Sequence, residues 1–134
     1  MSARMLEVIN PYTEEAAVTL PLAGPEDIEA AVTRARQAYQ QWRTTPIEER
    51  QGLCAAFADA FEAMGEQVAR DITAQMGKPL QQSRNEIGGL LERARHMTEI
   101  AAKTLADEYL PEKDKFVRYI RHEPKGVVLD IAAW

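Results

Sequence analysis

The most constraining stretch of this chain is its last. Val127-Val128-Leu129-Asp130-Ile131-Ala132-Ala133-Trp134 has Asp130 as its one charged member and follows a turn signal, Glu123-Pro124-Lys125-Gly126. An extended run that is apolar on both alternating faces needs cover on both sides, as in a parallel sheet packed between helices. This excludes a purely helical bundle and makes the fold α/β. The run also carries no turn, polar cap or charged tail, whereas chain termini are usually polar unless tied down. The sequence is therefore expected to be the front part of something longer.

Upstream, the pattern is mostly helical. Leu6-Glu7-Val8-Ile9 and Ala17-Val18-Thr19-Leu20-Pro21-Leu22 flank an Asn10-Pro11 turn and read as a β-hairpin. Gly24-Pro25-Glu26-Asp27 opens a first helix, with proline at the first helical position and two acids facing the positive end of the helix dipole. Ile28, Val32, Ala35, Tyr39 and Trp42 form its inner stripe. Thr45 and Glu48 read as a capping box for a second helix, whose stripe is Leu53, Phe57, Phe61 and Met64. Gly65 loosens that helix, and Val68, Ile72 and Met76 continue the buried face to a stop at Gly77-Lys78-Pro79. A long fourth helix places Ile87, Leu90, Leu91, Ala94, Met97, Ile100, Ala101 and Leu105 on one face. Gly88-Gly89 inside it costs roughly 1 kcal/mol per glycine relative to alanine, offset by close approach of a neighbouring helix. After the polar turn 111–115 the period changes to extended, and residues 116–122 read as a half-exposed strand carrying Arg118 and Arg121.

Few residues invite chemistry. Cys54 lies on the second helix among alanines with no histidine in the segment, and reads as a small packing residue. One cysteine can form neither an internal disulfide nor a multi-cysteine metal site. His96 and His122 are the only histidines, and their spacing matches no metal-ligand pattern. The carboxylates read mainly as i, i+4 partners of basic residues on helix faces. Asp130 reads as a strand-end residue bonded to a neighbouring backbone or arginine. Neither a GxGxxG nor a GxxxxGK[ST] phosphate cradle occurs. Sixteen Lys and Arg against 21 Asp and Glu give a net charge of -5, which excludes the electrostatic footprint of a nucleic-acid binder. No run approaches the roughly 18 apolar residues of a membrane span. The economical setting is a reducing, cytoplasmic one.

The order of these signals resembles the N-terminal portion of the aldehyde dehydrogenase superfamily. The resemblance is carried by the Asn10-Pro11 hairpin, the helix ending in Trp42, and Pro46 with Arg50. It continues through Met76-Gly77-Lys78-Pro79-Leu80 and, above all, Tyr119-Ile120-Arg121-His122-Glu123-Pro124-Lys125-Gly126-Val127-Val128 running on to Trp134. The resemblance implies a hairpin and helical part over 1–115, an oligomerisation-type β extension over 116–125, and over 126–134 the first strand of a Rossmann-like parallel sheet. The domain would be incomplete. Ile131, Ala132, Ala133 and Trp134 match positions lining the cofactor cleft. Gln75 falls where some members carry an acid near a monovalent cation, and Ala133 replaces a proline common before the tryptophan.

The resemblance further implies oxidation of an aldehyde to a carboxylic acid with NAD or NADP through a cysteine thiohemiacetal, in a homodimer or homotetramer. The nucleophile, the base and the oxyanion asparagine of the family lie downstream of Trp134, so this chain alone is expected to be inactive. The competing reading is a free-standing helical interaction module that pairs through its exposed strands.

Overall fold

The computed structural model describes residues 4–132. Among them, β1 (Met5–Ile9) and β2 (Ala16–Pro21) form the expected antiparallel hairpin, with a bulge between Val8 and Ile9. The Asn10 side chain organises the turn, its Oδ1 accepting from the Tyr12 N–H at 2.9 Å. This is the Asx-turn chemistry that makes Asn-Pro a turn signal.

Four helices follow: α1 (Pro25–Trp42), α2 (Ile47–Ala63), α3 (Gly65–Met76) and α4 (Leu80–Thr104). Pro25 is the first residue of α1, and Asp27 Oδ2 accepts from the Gly24 N–H at 2.8 Å. α3 ends on Gly77, whose φ of 69° lets its N–H close back onto the Thr73 carbonyl. Pro79 then starts α4. The capping box expected at α2 does not form: Pro46 stands at its N-cap without a side-chain cap bond, and the Thr45 hydroxyl donates backwards to the Gln41 carbonyl.

The core lies where α2 and α3 pack on α4. Ala58, Ala69, Ile87, Leu91 and Ser83 are buried there, and Phe61, Val68, Ile72 and Leu80 close around the apolar part. Small residues at the contact let the helices approach closely. The Ser83 hydroxyl satisfies itself against Thr73 Oγ1 at 2.9 Å, and Gln51 Nε2 ties α2 to α4 by donating to the Thr98 carbonyl at 2.6 Å.

Several expectations need correction. α2 turns Ala58 and Phe61 inward, while Leu53, Phe57 and Met64 are exposed. Ile28 and Trp42 of α1 are exposed as well, and α1 contributes no buried residue. The glycine at a close approach is Gly65, where an added Cβ would sit 3.3 Å from Ile87 Cγ2; Gly88 and Gly89 face open space. Gly88 lies one step around the helix from Ile87, so the same packing that buries Ile87 turns Gly88 away. The ion pairs also differ. Arg70 with Glu66 is an i, i+4 pair, but Arg84 reaches Glu66 and Arg95 reaches Asp59 and Glu62 from another helix. Lys78 pairs with Glu86 across the α3–α4 corner.

Beyond α4 the expected long strand is short. β4 (Tyr119–Ile120) pairs antiparallel with β3 (Glu108–Tyr109), a strand absent from the sequence reading. The turn between them passes through positive φ at Asp114 and Lys115. The architecture is thus an incomplete α/β domain: a hairpin, a helical layer and a small second strand pair.

A candidate cofactor-side segment and its support

Residues 126–132 belong to no helix or strand, and among the described residues their main chain joins no strand pair. The strand expected over 127–131 is therefore an irregular, unpaired segment here. A parallel-sheet strand exists as such only when a neighbour supplies its hydrogen bonds, and none of the described strands pairs with this one. Val128, Leu129 and Ile131 are 74%, 81% and 79% exposed. Ala132 is exposed too, and Ala133 and Trp134 lie outside the described residues. Of the four expected cofactor-lining residues, two are thus placed, adjacent and open to solvent.

One hydrogen bond and one backbone turn fix where this segment begins. The Tyr39 hydroxyl of α1 donates to the Pro124 carbonyl at 3.3 Å. Gly126, at φ 99°, then turns the chain into the run. The result is a cavity of about 530 Å³ lined by Ala35, Tyr39, Trp42, Gly126 and Val127. Earlier in the chain, Asp107 grips Arg121 with both carboxylate oxygens, at 2.8 Å from Nη2 and 3.2 Å from Nε. The guanidinium also lies 5.0 Å from the Tyr119 ring centroid, and that ring sits 5.5 Å from Tyr109. The hydrogen bonds from Arg121 hold the Asp107 carboxyl below the usual carboxylate range, against an opposing desolvation; the same bonds push Arg121 further up. Arg118 Nη2 donates to the Pro111 carbonyl at 2.6 Å. This support is what residue-by-residue reading missed. The ordered arginines of 116–122 were the available signal, but their partners sit 7 and 14 residues away in sequence.

The remaining candidates stand apart from the segment. Cys54 is exposed rather than packed. It borders a cavity of about 260 Å³ with Trp42, Met97 and Thr98, and the face it sits on is uncovered. Asp130 is exposed and makes no side-chain hydrogen bond among the described residues, contrary to the expected strand-end bond. His122 Nε2 lies 3.9 Å from Glu108 Oε1, and His96 lines a shallow hollow with Glu92 and Arg93. Among the described residues no three metal-ligating side chains converge, and no helix is long and apolar enough to cross a membrane. The geometry offers a free strand edge and an apolar wall. Among the described residues it brings no nucleophile and base together.

Comparison with known proteins places this arrangement. The sequence profile of the aldehyde dehydrogenase family matches residues 1–134. Methylmalonate-semialdehyde dehydrogenase [acylating] from Arabidopsis thaliana is 36% identical over 131 residues, covering 97% of this chain and 21% of the relative. Among solved structures, NADP-dependent glyceraldehyde-3-phosphate dehydrogenase from Bacillus halodurans, complexed with NADP, superposes with a TM-score of 0.76 at 26% identity over 84% of this chain and 23% of that one. A betaine aldehyde dehydrogenase variant from Staphylococcus aureus, in complex with NAD+, gives the same TM-score and identity over the same 84% and 23%. The chain spans between a fifth and a quarter of the length of these proteins, at their N-terminal part. A family match along the whole sequence, with solved members superposing over 84% of the chain, has one meaning: the chain belongs to the aldehyde dehydrogenase family.

Proposed function

We propose that this chain is the N-terminal part of an oxidoreductase that oxidises an aldehyde to a carboxylic acid with NAD or NADP. The complete enzyme works through a thiohemiacetal on a cysteine that this chain does not carry. The observation behind the reading is the family match over residues 1–134 joined to coverage of only 21% of the relative. The relatives solved with NAD+ and with NADP support a nicotinamide cofactor.

The residues present fit one wall of a nucleotide cleft and no more. The run 126–132 offers free main-chain groups and small or apolar side chains, and it contains no glycine-rich phosphate cradle. Ile131 and Ala132, continued by Ala133 and Trp134, would line the cofactor. When bound, the cofactor supplies the hydride acceptor. The chain's own part is positional: Tyr39 and Gly126 aim the run, and a neighbouring strand on each side turns it into the first strand of a Rossmann-like sheet. Residues 1–115 act as the hairpin and helical part, and 116–125 as the β extension through which subunits of a cytoplasmic homodimer or homotetramer meet. Cys54 is not the nucleophile, because it has no base beside it and lies on α2, away from the run.

The test is direct. The purified chain, given NAD+ or NADP+ and a semialdehyde, is expected to produce no reduced nicotinamide, and a polypeptide in which it precedes the remainder of the Arabidopsis relative is expected to do so. Turnover by the 134-residue chain itself would overturn the assignment. So would a monomeric, cooperatively folded chain that binds no dehydrogenase remainder, which is the behaviour of an independent interaction module.

A further inference from the structure

The run 126–132 leaves the helical layer through a hinge that its own backbone does not fix. Gly126 sits at φ 99°, and a Cβ built on it would meet no atom within 4 Å. The demand for glycine there is conformational, and the same freedom lets the run swing. Nothing downstream among the described residues corrects the swing: 127–131 pair with no strand, and Val128, Leu129 and Ile131 are mostly exposed. Control has to act just before the hinge, at Pro124. Proline has no N–H, so its carbonyl is its one main-chain handle. That carbonyl accepts from the Tyr39 hydroxyl at 3.3 Å, across 85 residues of sequence.

Tyr39 is itself held. It is half-buried near the C-terminal end of α1, and its ring lines the same cavity as Gly126 and Val127. A phenol that turns about its side-chain bonds carries its hydroxyl off the carbonyl. Arg43, one helical turn on at the C-cap of α1, opposes this: its guanidinium carbon lies 5.8 Å from the ring centroid. At an exposed site such a contact favours the held ring by about twofold to fivefold. Arg43 has no ion pair among the described residues, so no carboxylate draws it away from the ring.

Unbonded main-chain groups along an apolar run suit strands added at its edges. The chain covers 21% of its relative, so the polypeptide that brings those strands is the remainder of the dehydrogenase. We propose that Tyr39, its ring steadied by Arg43, is a positioning residue that presents the run to those strands in a pose ready for pairing. This role rests on the reading of the chain as the N-terminal part of the enzyme. A pose held before contact raises the fraction of encounters that succeed. Once the strands have paired they hold the run themselves, so the bond governs how fast assembly forms and not how long it lasts.

The experiment mixes the full 134-residue chain with the separately produced remainder of the Arabidopsis relative, the part beyond its match, and follows association and dissociation by stopped flow. Tyr39→Phe keeps the ring and deletes the donor; it is expected to slow association about threefold to tenfold, the worth of one hydrogen bond. Dissociation should stay as in the parent, whereas loss of an ordinary interface contact acts mainly on dissociation. Arg43→Met should slow association about twofold to fivefold, and add nothing in the Tyr39→Phe background, where no hydroxyl is left to aim. Tyr12→Phe, on a ring that is 91% exposed at the hairpin turn, should change neither rate. Helical circular dichroism equal to that of the parent qualifies each variant, and a low signal for Tyr39→Phe leaves Arg43→Met, at an exposed position, to decide. If both variants associate like the parent, or act on dissociation instead, the positioning role is overturned while the N-terminal reading stands. If the parent chain binds no remainder at all, that reading fails and takes the positioning role with it.

Discussion

Replacing Gly77 by alanine probes the corner on which the hairpin and the helical layer meet. Gly77 sits at φ 69°, and a Cβ built on it would fall 2.6 Å from Pro11 Cγ, with the neighbouring ring carbons at 3.6 and 3.8 Å. Two costs follow. Holding an L-residue in the left-handed region costs roughly 1–2 kcal/mol, and an overpacked contact typically costs a further ~1–3 kcal/mol. Carbon atoms pack at ~3.5–4.0 Å, so the ring must move by about an ångström, and it belongs to a turn already fixed by the Asn10 side chain. The expected loss is about 3 kcal/mol, read as a shift of the urea midpoint followed by circular dichroism.

A second background separates the two costs. In a Pro11→Ala chain the contact is gone but the backbone strain stays, so Gly77→Ala should there cost only ~1–2 kcal/mol. The difference is the coupling energy between hairpin and corner. Gly65→Ala is the contrast: its Cβ would lie 3.3 Å from the flexible Ile87 side chain, in helical backbone. Helix propensity returns up to about 1 kcal/mol there, so the net change should stay near zero. A Gly77→Ala loss below ~0.5 kcal/mol, or an equal loss with and without Pro11, would refute the reasoning, because the hairpin would then not lean on this corner.

Two further perturbations test the core and the clamp. Ser83→Ala leaves Thr73 Oγ1 without its partner at a fully buried position, and should destabilise the chain by about 1–2 kcal/mol in urea melts; Thr73→Val with Ser83→Ala together should cost less than the sum of the two. The Asp107 carboxyl is held below its ordinary value by Arg121. A group depressed in the folded state contributes its stability above the unfolded value, near pH 4, and loses it as the pH falls through the folded value. Melting temperature should therefore drop on acidification below about pH 4, and less steeply in Asp107→Asn; equal acid slopes would mean that the clamp carries no stability.

The local punctuation was legible in the sequence because its causes are local. Pro25 and Asp27 start α1, Gly77 ends α3, and Asn10 makes the hairpin turn, each through atoms within a few residues. The choice of face on α2 was not. Leu53, Phe57 and Phe61 share one stripe, the Phe57 and Phe61 rings 5.8 Å apart, and size alone favours centring the buried face on Leu53 and Phe57 rather than on Ala58 and Phe61. Packing chose the second, since Ala58, Ala69 and Ser83 allow α2 and α3 to close on α4. β3 was equally hidden: Glu108–Tyr109 has too few residues to show a period, and it exists because Tyr119–Ile120 pairs with it. Asp107 and Arg121, 14 residues apart, form a clamp that no spacing rule announces. At the candidate site, the order of motifs was legible, but the Tyr39–Pro124 bond that helps aim the run was not.

The same division explains why the candidate segment is the least secured part of the molecule. The buried residues belong to α2, α3 and α4, whereas α1 buries none, and the run 126–132 has neither core nor sheet. Among the described residues, the one hydrogen bond from the helices to the stretch leading into the run is Tyr39–Pro124, with the Asp107–Arg121 clamp placing the chain just before it. Local opening free energy follows buried apolar contact and protected hydrogen bonds, so exchange of amide hydrogens should be slowest at Ile87 and Leu91 and fast throughout 126–132. An apolar run on both faces is stable only where it is covered on both, and its own chain covers neither. Binding of a completing polypeptide would therefore do more than add area. It would order the run proposed above to line the cofactor, and slow exchange across 127–132 on assembly, with little change at Ile87, is the signature that separates this from a general tightening of the fold.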